Sequence, residues 1–207
     1  MVQGLLALSR LDNTATHPVP VDADAVIDDR VATWAPFAAD HQVDLQVRGA
    51  PLGFVQAVDG ALEQVLDNLL ANALRVAPSG STVSIDRRLD RDGTALVHVI
   101  DQGPGMSATD RRRAFDRFWR ASDSADDGSG LGLAIVERLV RASGGQISLE
   151  QAPGSGVDAT IRLRCPRPAG RGNPAHARPA RSGPAGGPPR RRIDIQPQSP
   201  QRAGAGA

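Results

Sequence analysis

Apolar positions in the first 165 residues alternate between two periods, one near 3.6 and one of 2. Over 24–40, Ile27, Val31, Trp34 and Ala38 recur on one helical face, with Pro36 expected to kink or break the helix. Residues 58–76 carry the strongest helical pattern, because Leu62, Val65, Leu66, Leu69 and Ala73 fall on a single buried stripe. A further helix is predicted over 131–143, and residues 5–11 read as the end of an amphipathic helix stopped by His17-Pro18-Val19-Pro20. Val43, Leu45 and Val47 alternate as a strand, as do 82–89 and 95–101. Residues 147–150 and 157–163 read as a closing hairpin across Pro153-Gly154-Ser155-Gly156. Helices and strands in this mixture predict an α/β fold, a two-layer sandwich with helices covering one sheet face.

After Cys165 the periodicity ends and Pro, Gly, Ala and Arg take over. Such a segment buries too little apolar surface to offset its ordering entropy, so 166–207 is expected to be a disordered tail. Its arginines lack interleaved aromatics, and nucleic acid is not expected as a partner. The remaining chain has the size of one domain. A formal net charge of +1 points to no strongly charged partner. The single cysteine excludes an internal disulfide framework and fits a reducing, cytoplasmic setting. No run reaches the ~20 apolar residues of a membrane span, so no membrane insertion is expected of these residues.

Chemistry concentrates in four places. On the 58–76 helix, Asn68, Asn72 and Arg75 share a narrow stripe beside the apolar face. Asparagine is a mediocre helix former, and an amide oxygen is a hard, neutral ligand suited to Mg²⁺; a solvated helix face is the alternative. Asp101 ends a strand and is followed by Gly103-Pro104-Gly105. There a carboxylate can accept from an exocyclic amine while the glycines let backbone approach a ligand, although the same pattern describes ordinary turns. Gly128, Gly130 and Gly132 run straight into an amphipathic helix, where free N–H groups make a phosphate cradle. Between the two glycine elements, Phe115, Phe118 and Trp119 stand in an Arg- and Asp-rich stretch, either as an apolar anchor for a mobile lid or as a helical turn packed on the core.

In this order and spacing, Asn68-Leu-Leu-x-Asn72-Ala, Asp101-x-Gly-x-Gly105, Phe115-x-x-Phe118 and Gly128-x-Gly-x-Gly132-Leu133 resemble the N, G1, F and G2 boxes of the histidine kinase catalytic domain. That domain belongs to the gyrase, Hsp90, histidine kinase and MutL superfamily. The resemblance implies a Bergerat-type ATP-binding sandwich with a mixed sheet over 21–165, preceded in 1–20 by the end of a dimerisation and phosphotransfer helix and its linker. It implies ATP and Mg²⁺ as cofactors, with Asn72 as the metal ligand and Asn68, Arg75 and Arg117 as phosphate contacts. Asp101 would accept from the adenine amine, Gly103 and Gly105 would shape the adenine pocket, and Gly128, Gly130, Gly132 and Leu133 would lie on the triphosphate side.

Three features sharpen the expectation. Where hydrolysing branches of the superfamily carry a glutamate base, Asn68 stands, and an amide cannot act as a general base; phosphoryl transfer to a protein is therefore expected over hydrolysis. Where many relatives place a tyrosine after the basic residue of the N box, this chain has Val76. None of His17, His41, His98 and His176 sits in the phosphoacceptor pattern of His, acidic residue and later Pro. The acceptor histidine is accordingly expected on a separate polypeptide, with a response regulator downstream. An anti-sigma-type serine kinase of the same fold, or a nucleotide-binding fragment without transfer activity, are the alternatives.

Overall fold

The computed structural model describes residues 17–119 and 130–166, which contain seven strands and four helices. The predicted helix end at 5–11, Gly128, and the tail beyond Pro166 lie outside the described residues. Strand β1 (Val19–Asp22) pairs antiparallel with β3 (Phe54–Ala57) as a separate two-stranded ribbon. The main sheet holds β2 (Asp44–Gly49), β4 (Thr82–Leu89), β5 (Thr94–Ile100), β6 (Gln146–Gln151) and β7 (Val157–Arg164), in the order β2-β4-β5-β7-β6. Only β2 and β4 run parallel, so the sheet is mixed.

Helices α1 (Ala23–Asp40), α2 (Ala61–Val76) and α4 (Gly132–Ala142) close the apolar side of this sheet, with the short α3 (Ala108–Arg113) between β5 and α4. The core joins Leu66, Leu70 and Leu74 of α2 and Val136 and Leu139 of α4 to Ile85, Val97, Val99 and Ile161 of the sheet. Strand residues of opposite parity form the other face, which is polar: His98, only 5% exposed, meets Asp158 and Thr160 through Nδ1, each at 3.0 Å, and accepts from Arg88 Nε at Nε2 at 3.1 Å. The two-layer α/β sandwich with helices on one face is thus the observed architecture.

Three expectations are corrected. Helix α1 runs unbroken through Pro36. Both Pro36 and Ala32, whose carbonyl loses its partner there, are exposed, so water can replace the missing bond while Ile27 and Ala38 keep the helix seated. The Pro-rich stretch read only as a breaker contains β1, where Pro20 stands in a two-stranded ribbon that needs few N–H donors. Helix α2 starts at Ala61, three residues later than expected, because Gly60 caps it in the left-handed region at φ 71°. The ribbon partner β3 and helix α3 are too short to leave a periodic signal.

Helix α2 is the element on which the core closes. Leu66 and Leu70 are both 0% exposed. Substitution Leu66→Ala is expected to cost about 2–5 kcal/mol, from lost transfer energy plus the cavity left behind. Urea denaturation followed by circular dichroism measures it, and a loss below about 1 kcal/mol would contradict this packing.

Candidate nucleotide site

The apolar stripe of α2 faces the sheet, and its neighbouring stripe carries Asn68 and Asn72, both half-buried. Asn68 Nδ2 donates to the carbonyl of Gln64 at 2.8 Å, which satisfies the amide locally and turns Oδ1 outward. A Cβ built on Gly132 would lie 3.1 Å from that oxygen and 3.9 Å from Asn72 Nδ2, so the start of α4 abuts both amides. Arg75 Nη2 donates to Asn72 Oδ1 at 3.3 Å. The structure therefore brings Asn68, Asn72, Arg75 and Gly132 together. Leu133 follows in the first turn of α4, whose cap residue Leu131 offers no side-chain acceptor to the helix's free N–H groups.

Asp101 lies just past β5 and is 6% exposed. Its N–H donates to Val157 O at 3.1 Å, and its Oδ1 accepts from Gly103 N–H at 2.8 Å. Burial pushes the carboxyl above the usual carboxylate range, and the bonds from Gly103 and Val157 pull it partway back. Gly103 is confined between Asp101 and α2, since an added Cβ would lie 2.8 Å from Val76 Cγ2 and 2.9 Å from Asp101 Oδ1. Gly105 has φ +78 and would place a Cβ 2.9 Å from Gln151 Nε2. Gly156 stands against the other side of Asp101, where a Cβ would lie 2.1 Å from its carbonyl oxygen. Only a glycine fits there.

Phe118 and Gly130 bracket the undescribed residues. Phe118 N–H donates to Gly130 O at 3.0 Å, and Phe118 holds φ 63°, an uncommon conformation for an aromatic residue, while 72% exposed. Arg117 is grouped differently from the amides. With Phe115 and Phe118 it lines a cavity of about 430 Å³ against Leu131 and, in α4, Ile135 and Arg138. Among the described residues no hydrogen bond joins Arg117 to Asn68 or Asn72. This cavity thus lies beside the aromatic segment, and neither Asn68 nor Asn72 lines it.

Gly156 and Gln151 were not marked as site residues by the sequence. Their turn residues signal a hairpin, but nothing local reports that the hairpin end folds onto Asp101. Among the described residues no group of three or more His, Cys, Asp or Glu could hold a metal ion, and the α2 side chains that meet the start of α4 are the amides Asn68 and Asn72.

The Asp101 environment sets a pH dependence. A carboxyl whose folded pKa exceeds its unfolded value holds its proton in the native state over a window where the unfolded chain has released it. Stability then falls as pH rises through that window and stays lower above it. Asp101→Asn keeps an acceptor for Gly103 N–H and removes the buried charge, so the variant is expected to be at least as stable as the parent near neutral pH. Its advantage should shrink as pH falls towards about 4, measured by urea midpoints. A difference that does not vary with pH would refute the assigned burial effect.

Residues 57–167 match the family described as histidine kinase-, DNA gyrase B- and HSP90-like ATPase. The sensor-like histidine kinase SenX3 of Mycolicibacterium smegmatis is 35% identical over 169 residues, covering 79% of this chain and 44% of that protein. The chain spans less than half the length of this curated relative. Among solved structures, a mycobacterial sensor histidine kinase MprB superposes with a TM-score of 0.64 at 30% identity, over 72% of this chain and 99% of that one. Full-length ShkA in complex with AMPPNP superposes with a TM-score of 0.68 at 28% identity, over 80% of this chain and 35% of that one. With the amide pair on α2, the buried Asp101 and the glycine-led α4 in one arrangement, the chain belongs to the histidine kinase-, DNA gyrase B- and HSP90-like ATPase family, as a catalytic domain of the sensor histidine kinase kind.

Proposed function

We propose that residues 21–165 bind ATP with Mg²⁺ and donate the γ-phosphate to a histidine on a separate phosphoacceptor polypeptide, from which a response regulator is served. The observation that carries this reading is the layout of α2. Asn68 and Asn72 meet Gly132 at one end of a stripe, and Val76 meets Gly103 beside Asp101 at the other. At 1.5 Å per residue the stripe from Asn68 to Val76 is about 12 Å long, which suits a nucleotide laid along it with its base at Asp101 and its phosphates at the amides.

Asp101, already accepting from Gly103, has a second carboxylate oxygen to accept from the adenine amine. Gly103 and Gly105 admit the base without side chains of their own. Gly130, Gly132 and Leu133, together with Gly128 beyond the described residues, form the triphosphate side, where the open N-terminus of α4 favours negative charge. Asn72 would hold the metal through its amide oxygen. The Arg75 guanidinium now bonded to that oxygen is placed to move onto a phosphate. Bound Mg²⁺ supplies neutralisation of phosphate charge; orientation comes from the chain's own groups. Asn68 and Arg117 complete the phosphate contacts.

Asn68 offers no general base, which favours transfer over hydrolysis. Of the three described histidines, His41 stacks on Phe37 with centroids 4.1 Å apart, His98 is held by Asp158, Thr160 and Arg88, and the exposed His17 has no acidic neighbour in the chain. None of them stands in the phosphoacceptor pattern of an acidic neighbour and a later proline. The similarity to sensor kinases supports this acceptor chemistry over the anti-sigma alternative. Among the described residues no helix is long and apolar enough to cross a membrane, and a cytoplasmic setting fits the use of ATP.

Calorimetric titration tests the reading. ATP should bind in the presence of Mg²⁺, and Asn72→Ala should abolish this while leaving the far-UV circular dichroism spectrum unchanged; undiminished affinity would remove the assignment. ATP should bind at least about tenfold more tightly than GTP, because guanine would leave the Asp101 acceptor facing a carbonyl. Incubated alone with labelled ATP, the chain should acquire no acid-labile phosphohistidine. Labelling of one of its own histidines would overturn the proposal of a separate acceptor.

A further inference from the structure

The loop that begins at Asp101 is held from outside by one side chain that the nucleotide reading does not use. Gln151, the last residue of β6, extends its amide between three elements. Its Nε2 donates to Gly156 O at 3.1 Å, and its Oε1 accepts from Arg111 Nη1 of α3 at 3.2 Å. The same Arg111 nitrogen donates to Met106 O at 2.5 Å. A Cβ on Gly105 would lie 2.9 Å from Gln151 Nε2 and 3.2 Å from Gly156 O, so the amide sits directly against the Gly105 backbone.

Each of these contacts leads to Asp101. Gly156 packs on the Asp101 carbonyl so closely that a Cβ would lie 2.1 Å from it, and the next residue, Val157, accepts the Asp101 N–H. Gly105 and Met106 are the far end of the loop whose near end, Gly103, donates to the Asp101 carboxylate. Neither glycine has a side chain with which to fix its own position, and both hold positive φ, +78 at Gly105 and +95 at Gly156. Something else must set their separation.

We propose that Gln151 is the positioning residue of the base pocket. Its amide clamps the Gly105 and Gly156 backbones around Asp101 and, through Arg111, ties the pocket to α3 and the aromatic segment that follows. This rests on Asp101 marking the base end of a nucleotide site. Gln151 itself is exposed, so its bonds add little to folding stability; what they fix is the spacing of two glycine backbones.

Affinity and melting temperature, measured together on the full chain, separate a positioning role from a structural one. Gln151→Ala should weaken ATP, ADP and AMP by the same factor, about five- to tenfold, because the defect lies at the base end whatever the phosphate number. The nucleotide-free melting temperature should stay within about 2 °C of the parent. Gln151→Glu keeps an acceptor for Arg111 but faces Gly156 O with a second acceptor, so it should bind as weakly as Gln151→Ala. Arg111→Ala should weaken binding in the same direction, and adding it to Gln151→Ala should cause no further loss, since both act through one linkage. Parent-like affinity in Gln151→Ala would overturn the proposal, as would full rescue in Gln151→Glu or a loss matched by a fall in melting temperature of more than about 5 °C. If the parent chain bound no adenine nucleotide, the functional reading would fall and this inference with it. Parent binding with an unaltered Gln151→Ala would sink the inference alone.

Discussion

The seating of α2 on the sheet is the constraint from which the rest of the site follows. Leu62, Val65, Leu66, Leu69 and Leu70 bury the helix against strands of the mixed sheet and fix its rotation about its own axis. With the rotation set, Asn68 and Asn72 can only flank the core, where the start of α4 meets them, and Val76 can only reach the loop after β5. A rotation of one residue, about 100°, would carry the amides into the core or out to solvent. The energy that fixes the polar site is therefore apolar burial, since the hydrogen bonds of the two amides are few and local.

A second constraint is steric. The backbone around Asp101 is crowded on both sides, by Gly103 towards α2 and by Gly156 towards the β6–β7 hairpin. Because neither neighbour has a Cβ, the carboxyl can be almost fully buried while still accepting from a backbone N–H. That burial raises its pKa and leaves a charge that a ligand donor can satisfy. Gln151 and Arg111 lie one layer further out and hold the glycine segments at this spacing.

The polar face of the sheet makes a different use of burial. His98 is satisfied on both ring nitrogens, with Asp158 and Thr160 on one side and Arg88 on the other. This network joins β4, β5 and β7, of which β5 runs into Asp101 and β7 begins at Val157. The strand ends bearing the pocket are thus pinned on both faces, by apolar packing beneath and by this network above.

The sequence by itself determined the long elements and the residue types that stand at the candidate site. Sixteen residues of α2 repeat one stripe often enough to be read as a helix, and Asn68, Asn72, Asp101 and the glycine run declare their type and spacing along the chain. Short pieces carried no such signal: four residues of β1 and β3, and six of α3, are too few for a period to emerge. Nor could local pattern show that Pro36 is tolerated, since that depends on which side of α1 meets water. Only the tertiary structure decided that Asn68 touches Gly132, that Gly156 presses on Asp101, that Gln151 bridges Arg111 to the same turn, and that Arg117 stands beside the α4 cavity apart from the amides. Those contacts join residues tens of positions apart. They are set by how the hairpin and helices pack on one sheet, and each local stretch of chain is equally content with or without them.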